Sequence, residues 1–167
     1  GRFQSFIPKG EAAISYHYRQ AGGDLALEID TYQSPEHRIG LDTKLDLGFG
    51  IWMHKERVRI MGIDTPESRT KDLVEKSYGL QAKEFMKYLL PIGSSQIIKT
   101  QKDKTGKFGR ILGDFIIEYK DKNNNYSEKL ASSIMIENFH AVPYKGQSKD
   151  DLIDLHMANR DKLQEVK

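Results

Sequence analysis

Arg59, Asp64, Thr65 and Glu67 fall within one short stretch, Val58-Arg59-Ile60-Met61-Gly62-Ile63-Asp64-Thr65-Pro66-Glu67. A carboxylate at a strand end, beside an exposed backbone carbonyl, offers the hard oxygen ligands that Ca2+ accepts. Glu67, just beyond, is placed to take a proton from water or to orient it. Arg59 lies on the strand that enters the same corner, and its planar guanidinium can hold two phosphate oxygens at once. Asp-Thr-Pro alone is also what an ordinary turn contains. A second cluster, Thr105-Gly106-Lys107-Phe108-Gly109-Arg110, gives the first its meaning. Its glycines allow a tight turn from which Arg110 projects. Phosphodiester hydrolysis builds negative charge on the nonbridging oxygens, and two fixed guanidinium groups would stabilise it. Taken alone, this second cluster would pass for a basic β-turn.

The elements that must position these groups follow from periodicity. Ile14, Tyr16 and Tyr18 alternate, Ala21-Gly22-Gly23-Asp24 turns, and Leu25, Leu27 and Ile29 alternate again, so residues 11–32 are expected to form two strands. Residues 33–40 are polar with a proline and are expected to loop. Leu41–Leu47 and Ile51–Ile63 are expected as a further strand pair around Gly48-Phe49-Gly50, ended by Pro66. Residues 69–77 are charged and suggest a surface loop. Tyr78–Leu90 places Ala82, Phe85, Met86 and Leu89 at helical spacing, with Pro91 closing the helix. Strands are expected from Ile97 and over Ile111–Tyr119, with Asn123-Asn124-Asn125 as a turn. Glu128–Glu137 suggests a second helix, with Leu130/Ile134 and Ala131/Met135 as i,i+4 pairs. Ser148 and Asp151 form a capping box for a third, reaching about Leu163. This order of elements is α+β.

Composition bounds the rest. The 167 residues suit one domain, and 38% hydrophobic with 30% charged residues suit a small globule. With 26 basic and 24 acidic residues the formal charge is only +2, so any phosphate binding must be local rather than a general basic coat. The absence of cysteine excludes disulfides and thiolate chemistry. No apolar run approaches the roughly 18–20 residues of a membrane span. No export signal is visible, which points to a cytoplasmic protein. The missing initiator Met leaves secretion open.

In order and spacing, Arg59, Asp64-Thr65-Pro66-Glu67, Tyr78-Gly79 with Ala82, and Lys107-Phe108-Gly109-Arg110 resemble the staphylococcal nuclease (thermonuclease) family. Asp46-Leu47-Gly48-Phe49-Gly50-Ile51-Trp52 is similar to the second hairpin of phage and bacterial members. His140-Ala141-Val142-Pro143-Tyr144 and Ser148–Leu163 are similar to their C-terminal end. The resemblance covers about residues 41–163 well and residues 11–40 poorly, within a single domain over 1–167 whose first 40 residues are divergent. It implies an OB-type five-stranded β-barrel with three α-helices and Ca2+-dependent cleavage of DNA or RNA with little sequence specificity. It also implies that Asp64 and the Thr65 carbonyl ligate Ca2+, that Glu67 is the general base, and that Arg59 and Arg110 clamp the phosphate. Lys107 would approach a terminal phosphate and Tyr144 would face a bound base. The substrate would be single-stranded or locally opened nucleic acid, and the protein a monomer. Phe108 stands where the type enzyme has a tyrosine, so one phosphate-directed hydroxyl is missing.

One family motif is absent: the Asp-Gly-Asp-Thr whose second aspartate is the other carboxylate on the metal. Asp24, after Gly22-Gly23, can replace it if Leu25–Tyr32 pairs with Trp52–Ile60 and residues 33–50 are an insertion. Asp42 can replace it if the hairpin turns at Phe49-Gly50 and carries a bulge. With neither, the chain would be an inactive nuclease-like module that binds nucleic acid or a protein partner, since one carboxylate holds Ca2+ weakly. The N-terminal region is a candidate surface for such a partner. His17, His37, His54, His140 and His156 show no metal-binding spacing and are expected to be solvated or structural.

Overall fold

The computed structural model describes residues 9–21, 24–33, 51–91, 94–102 and 111–165. The first two strands, β1 (Lys9–Ala21) and β2 (Asp24–Gln33), are antiparallel, running from Glu11↔Tyr32 to Ala21↔Asp24. This is the hairpin that the alternating residues demand. Strand β3 (Ile51–Ile60) pairs antiparallel with β2, from Ala26↔Arg59 to Gln33↔Ile51. Leu41–Leu47, expected to pair there, lies outside the described residues.

The expected long strand over Ile51–Ile63 is broken. Gly62 has φ +71°, a left-handed conformation that glycine adopts without Cβ strain. The chain therefore turns at Met61-Gly62 and resumes as β4 (Ile63–Asp64). Helix α1 (Leu73–Leu89) follows, beginning within the stretch expected to loop. Its start is set by Asp72, whose Oδ1 accepts from the Val74 and Glu75 amides at 3.0 and 3.2 Å. Tyr78, Ala82, Met86 and Leu89 form its buried stripe.

Strands β5 (Ser95–Lys102) and β6 (Ile111–Lys120) are antiparallel to each other, and β5 pairs with β1. Strand β6 also runs parallel to β3, with Val58↔Ile111 and Ile60↔Gly113 in register. Next comes β7 (Tyr126–Leu130), antiparallel to β6. Asp121 Oδ1 closes the intervening turn by accepting from the Asn123 and Asn125 amides. The helix expected over Glu128–Glu137 thus starts late, as α2 (Ala131–Glu137), because residues 128–130 are drawn into backbone pairing with β6. Leu130/Ile134 is not a helical pair, whereas Ala131 and Met135 are both buried in α2. The last elements are β8 (Val142–Pro143), paired with β4, and α3 (Lys149–Glu165). The Ser148 hydroxyl accepts from the Asp151 amide at 3.2 Å, as the capping box requires.

Among the described residues the main sheet has the order β3-β2-β1-β5-β6-β7, with β4–β8 as a separate ribbon. The expected count of five strands is therefore exceeded, by β7 and by the ribbon. Three helices and a mixed sheet make the fold α+β, as expected. The core joins Val58 and Ile60 of β3, Ile98, Phe115, Met86 of α1 and Ile134 of α2. No described helix is long and apolar enough to cross a membrane.

Helix α2 has no side-chain cap of its own at Leu130. Buried Asp114 of β6 supplies one, accepting at Oδ1 from the Ser132 and Phe115 amides at 3.1 and 2.9 Å and at Oδ2 from the Ser132 hydroxyl. Burial pushes its carboxyl above the usual range, opposed by these hydrogen bonds and by Lys99.

Candidate active site

The site is a corner made where β3 ends. Buried Val58 and Ile60 fix β3 in the core, so Arg59 between them alternates away from it, half-buried. Arg59 is flanked by Ala26 of β2 and Leu112 of β6. The Met61 amide donates to the Gly113 carbonyl at 3.0 Å, and the Tyr144 amide to the Gly62 carbonyl at 2.9 Å. These bonds fasten the turn to β6 on one side and to the end of β8 on the other. Asp64 then lies opposite Val142 in the ribbon.

Beyond Asp64, Thr65, Pro66 and Ser68 are buried while Glu67 is half-buried. The backbone of residues 67–68 rests directly on α1 at Gly79. A Cβ on Gly79 would come within 2.6 Å of the Ser68 nitrogen and closer still to the Glu67 carbonyl oxygen. Tyr144, 39% exposed, projects from the same corner next to Gly62.

The corner therefore brings Asp64, Thr65, Glu67 and Tyr144 together at the end of the strand carrying Arg59. Asp24 is the first residue of β2. The β2–β3 pairing reaches Ala26↔Arg59, two residues after Asp24, and β2 also lies against β4. Asp42, Lys107 and Arg110 lie outside the described residues. Strand β6 starts with Ile111 opposite Val58, one position from Arg59.

One contact at the corner had no signal in the sequence. His156 of α3, far along the chain from Asp64, places Nε2 2.7 Å from Asp64 Oδ2, and both side chains are mostly buried. No local spacing connects two residues so distant. His140 is held differently, its ring centroid 4.6 Å from that of Phe85. Burial lowers its pKa. Among the described residues no three His, Cys, Asp or Glu side chains are grouped to hold a metal ion. In donor type the corner nonetheless suits a hard cation, with the Asp64 carboxylate beside the Thr65 carbonyl.

The family model described as staphylococcal nuclease homologue matches residues 57–162. The match opens within β3 and runs into α3, so it contains the corner, Arg59 and His156, and leaves β1 and β2 outside. No curated protein matches the chain. With well over half of its length matched, the chain belongs to the staphylococcal nuclease homologue family.

Proposed function

We propose that the protein is a Ca2+-dependent nuclease that hydrolyses DNA or RNA phosphodiester bonds with little sequence specificity. The observation that carries this is the corner itself: Asp64, Thr65 and Glu67 turn out of the strand that bears Arg59, in a chain of the nuclease family. Asp64 and the Thr65 carbonyl would hold Ca2+, with Asp24 as the second carboxylate. Asp24 is preferred to Asp42 because β2 pairs with β3 in the register this role needs. Bound Ca2+ would supply positive charge against the phosphate.

The chain's own groups do the rest. Glu67 accepts a proton from the attacking water or orients it. Arg59 and Arg110 bind the nonbridging oxygens, and their attraction grows as charge accumulates there during attack. Lys107 meets a neighbouring phosphate, and Tyr144 offers a face for a base to stack on. Exposed stacking of this kind favours single-stranded or locally opened substrates. The parallel β3–β6 pairing supports an OB-type barrel formed by β1, β2, β3, β5 and β6, a scaffold suited to such strands.

Digestion of labelled single-stranded DNA and RNA tests the proposal. Cleavage should require Ca2+, stop on chelation, and fall by about 10²- to 10⁴-fold in Glu67→Gln, the usual worth of a general base. Binding without turnover at any Ca2+ concentration would replace the enzyme with a nucleic-acid-binding module.

A further inference from the structure

Helix α3 reaches the corner through polar side chains, for none of its described residues is buried. His156, Asn159, Arg160 and Gln164 share one helical face. Asn159 Nδ2 donates to the Ala141 carbonyl at 3.1 Å. The Arg160 guanidinium lies 5.2 Å from the Tyr78 ring centroid, and Gln164 Nε2 donates to the Tyr78 hydroxyl at 3.0 Å. Ala141 leads into β8, and β8 pairs with β4. His156 and Asn159, one turn apart, therefore fasten α3 to Asp64 of β4 and to the residue that leads into β8. A carboxylate only accepts hydrogen bonds, so His156 Nε2 carries the proton. Its Nδ1 is buried and makes no hydrogen bond. The imidazole is thus committed to Asp64 alone, while three other contacts already hold the helix.

We infer that His156 is a positioning residue of the cation site, holding Oδ2 of Asp64 so that the other carboxylate oxygen is presented to the cation. The inference rests on the assignment of Asp64 as a Ca2+ ligand. Ligating carboxylates are oriented by outer hydrogen-bond donors, and losing such a donor typically weakens metal binding about 10- to 100-fold. The C-terminal helix is thereby part of the site rather than a cover over it.

Calorimetric titration of Ca2+ into the full chain tests this, with a thermal melt for each variant. His156→Ala should bind Ca2+ about 10- to 100-fold more weakly than the unmodified chain. His156→Gln should restore most of the affinity, because its amide nitrogen reaches about as far as Nε2. Asn159→Ala, which loosens α3 without touching Asp64, should bind as the unmodified chain does. If His156→Ala does not fold, His156→Phe keeps the ring's bulk without the donor and should show the same loss. An alanine variant that binds as tightly as the unmodified chain, or more tightly, overturns the inference and leaves the nuclease proposal standing. So does a glutamine variant no better than alanine, or an Asn159→Ala loss equal to that of His156→Ala. An unmodified chain that takes up no Ca2+ removes the Ca2+ assignment and this inference with it.

Discussion

At the scale of single residues, Gly79 ties the packing of α1 to the placement of Glu67. The backbone of residues 67–68 occupies the space a side chain at 79 would need. Gly79→Ala must push that backbone away, and overpacking of this kind costs about 1–3 kcal/mol. A urea titration should show that loss, and cleavage should fall further than the unfolded fraction explains, because Glu67 moves. Unchanged stability and activity would mean that the corner yields freely. Tyr78-Gly79 was legible as a motif, but the reason for the glycine was not, since it lies in a backbone that approaches from another segment. His156 was less legible still. Nothing around a histidine on a polar helix announces a carboxylate in a distant strand.

At the scale of elements, the sequence was clearest where one side-chain period persisted. The stripe Ala82, Met86 and Leu89 of α1 is of that kind. The sequence misled where a local backbone effect cut across the period. Gly62 broke the strand at Met61, Asp72 started α1 early, and pairing with β6 claimed residues 128–130 for a strand. The Asp114 cap on α2 was invisible for the same reason as His156, because the donor and acceptor come from different elements.

The contact of α1 with the chain leading into β8 makes a prediction of its own. His140, packed on Phe85, has its pKa lowered by burial, so the folded state takes up its proton less readily than the unfolded chain, where the ordinary value is 6.5. Its contribution to stability is therefore present above pH 6.5 and is lost as pH falls below that value. Denaturant midpoints should drop between pH 7 and pH 5 more steeply in the unmodified chain than in His140→Gln. Parallel slopes would show that His140 titrates alike in both states.

At the scale of the whole molecule, a formal charge of +2 sets the character of binding. With Arg59, Lys107 and Arg110 as the phosphate contacts, affinity for a single strand should fall with salt at a slope of about −2 on logarithmic axes. A slope steeper than about −5 would require a far wider basic surface. The family and the α+β order of elements could be read from the linked motifs, but the proposed metal site could not be completed from them, because its second carboxylate depends on which strand pairs with β3. That strand is β2, whose pairing with β3 reaches Ala26↔Arg59, two residues after Asp24. The most direct measurement is the Ca2+ dependence of single-stranded DNA cleavage by the unmodified chain, Asp24→Asn and Asp42→Asn. A cation site completed by Asp24 predicts Ca2+-dependent cleavage that Asp24→Asn abolishes or shifts to much higher Ca2+, with Asp42→Asn behaving as the unmodified chain. It would be contradicted by an unmodified chain that does not cut, or by loss of cutting in Asp42→Asn with Asp24→Asn unaffected.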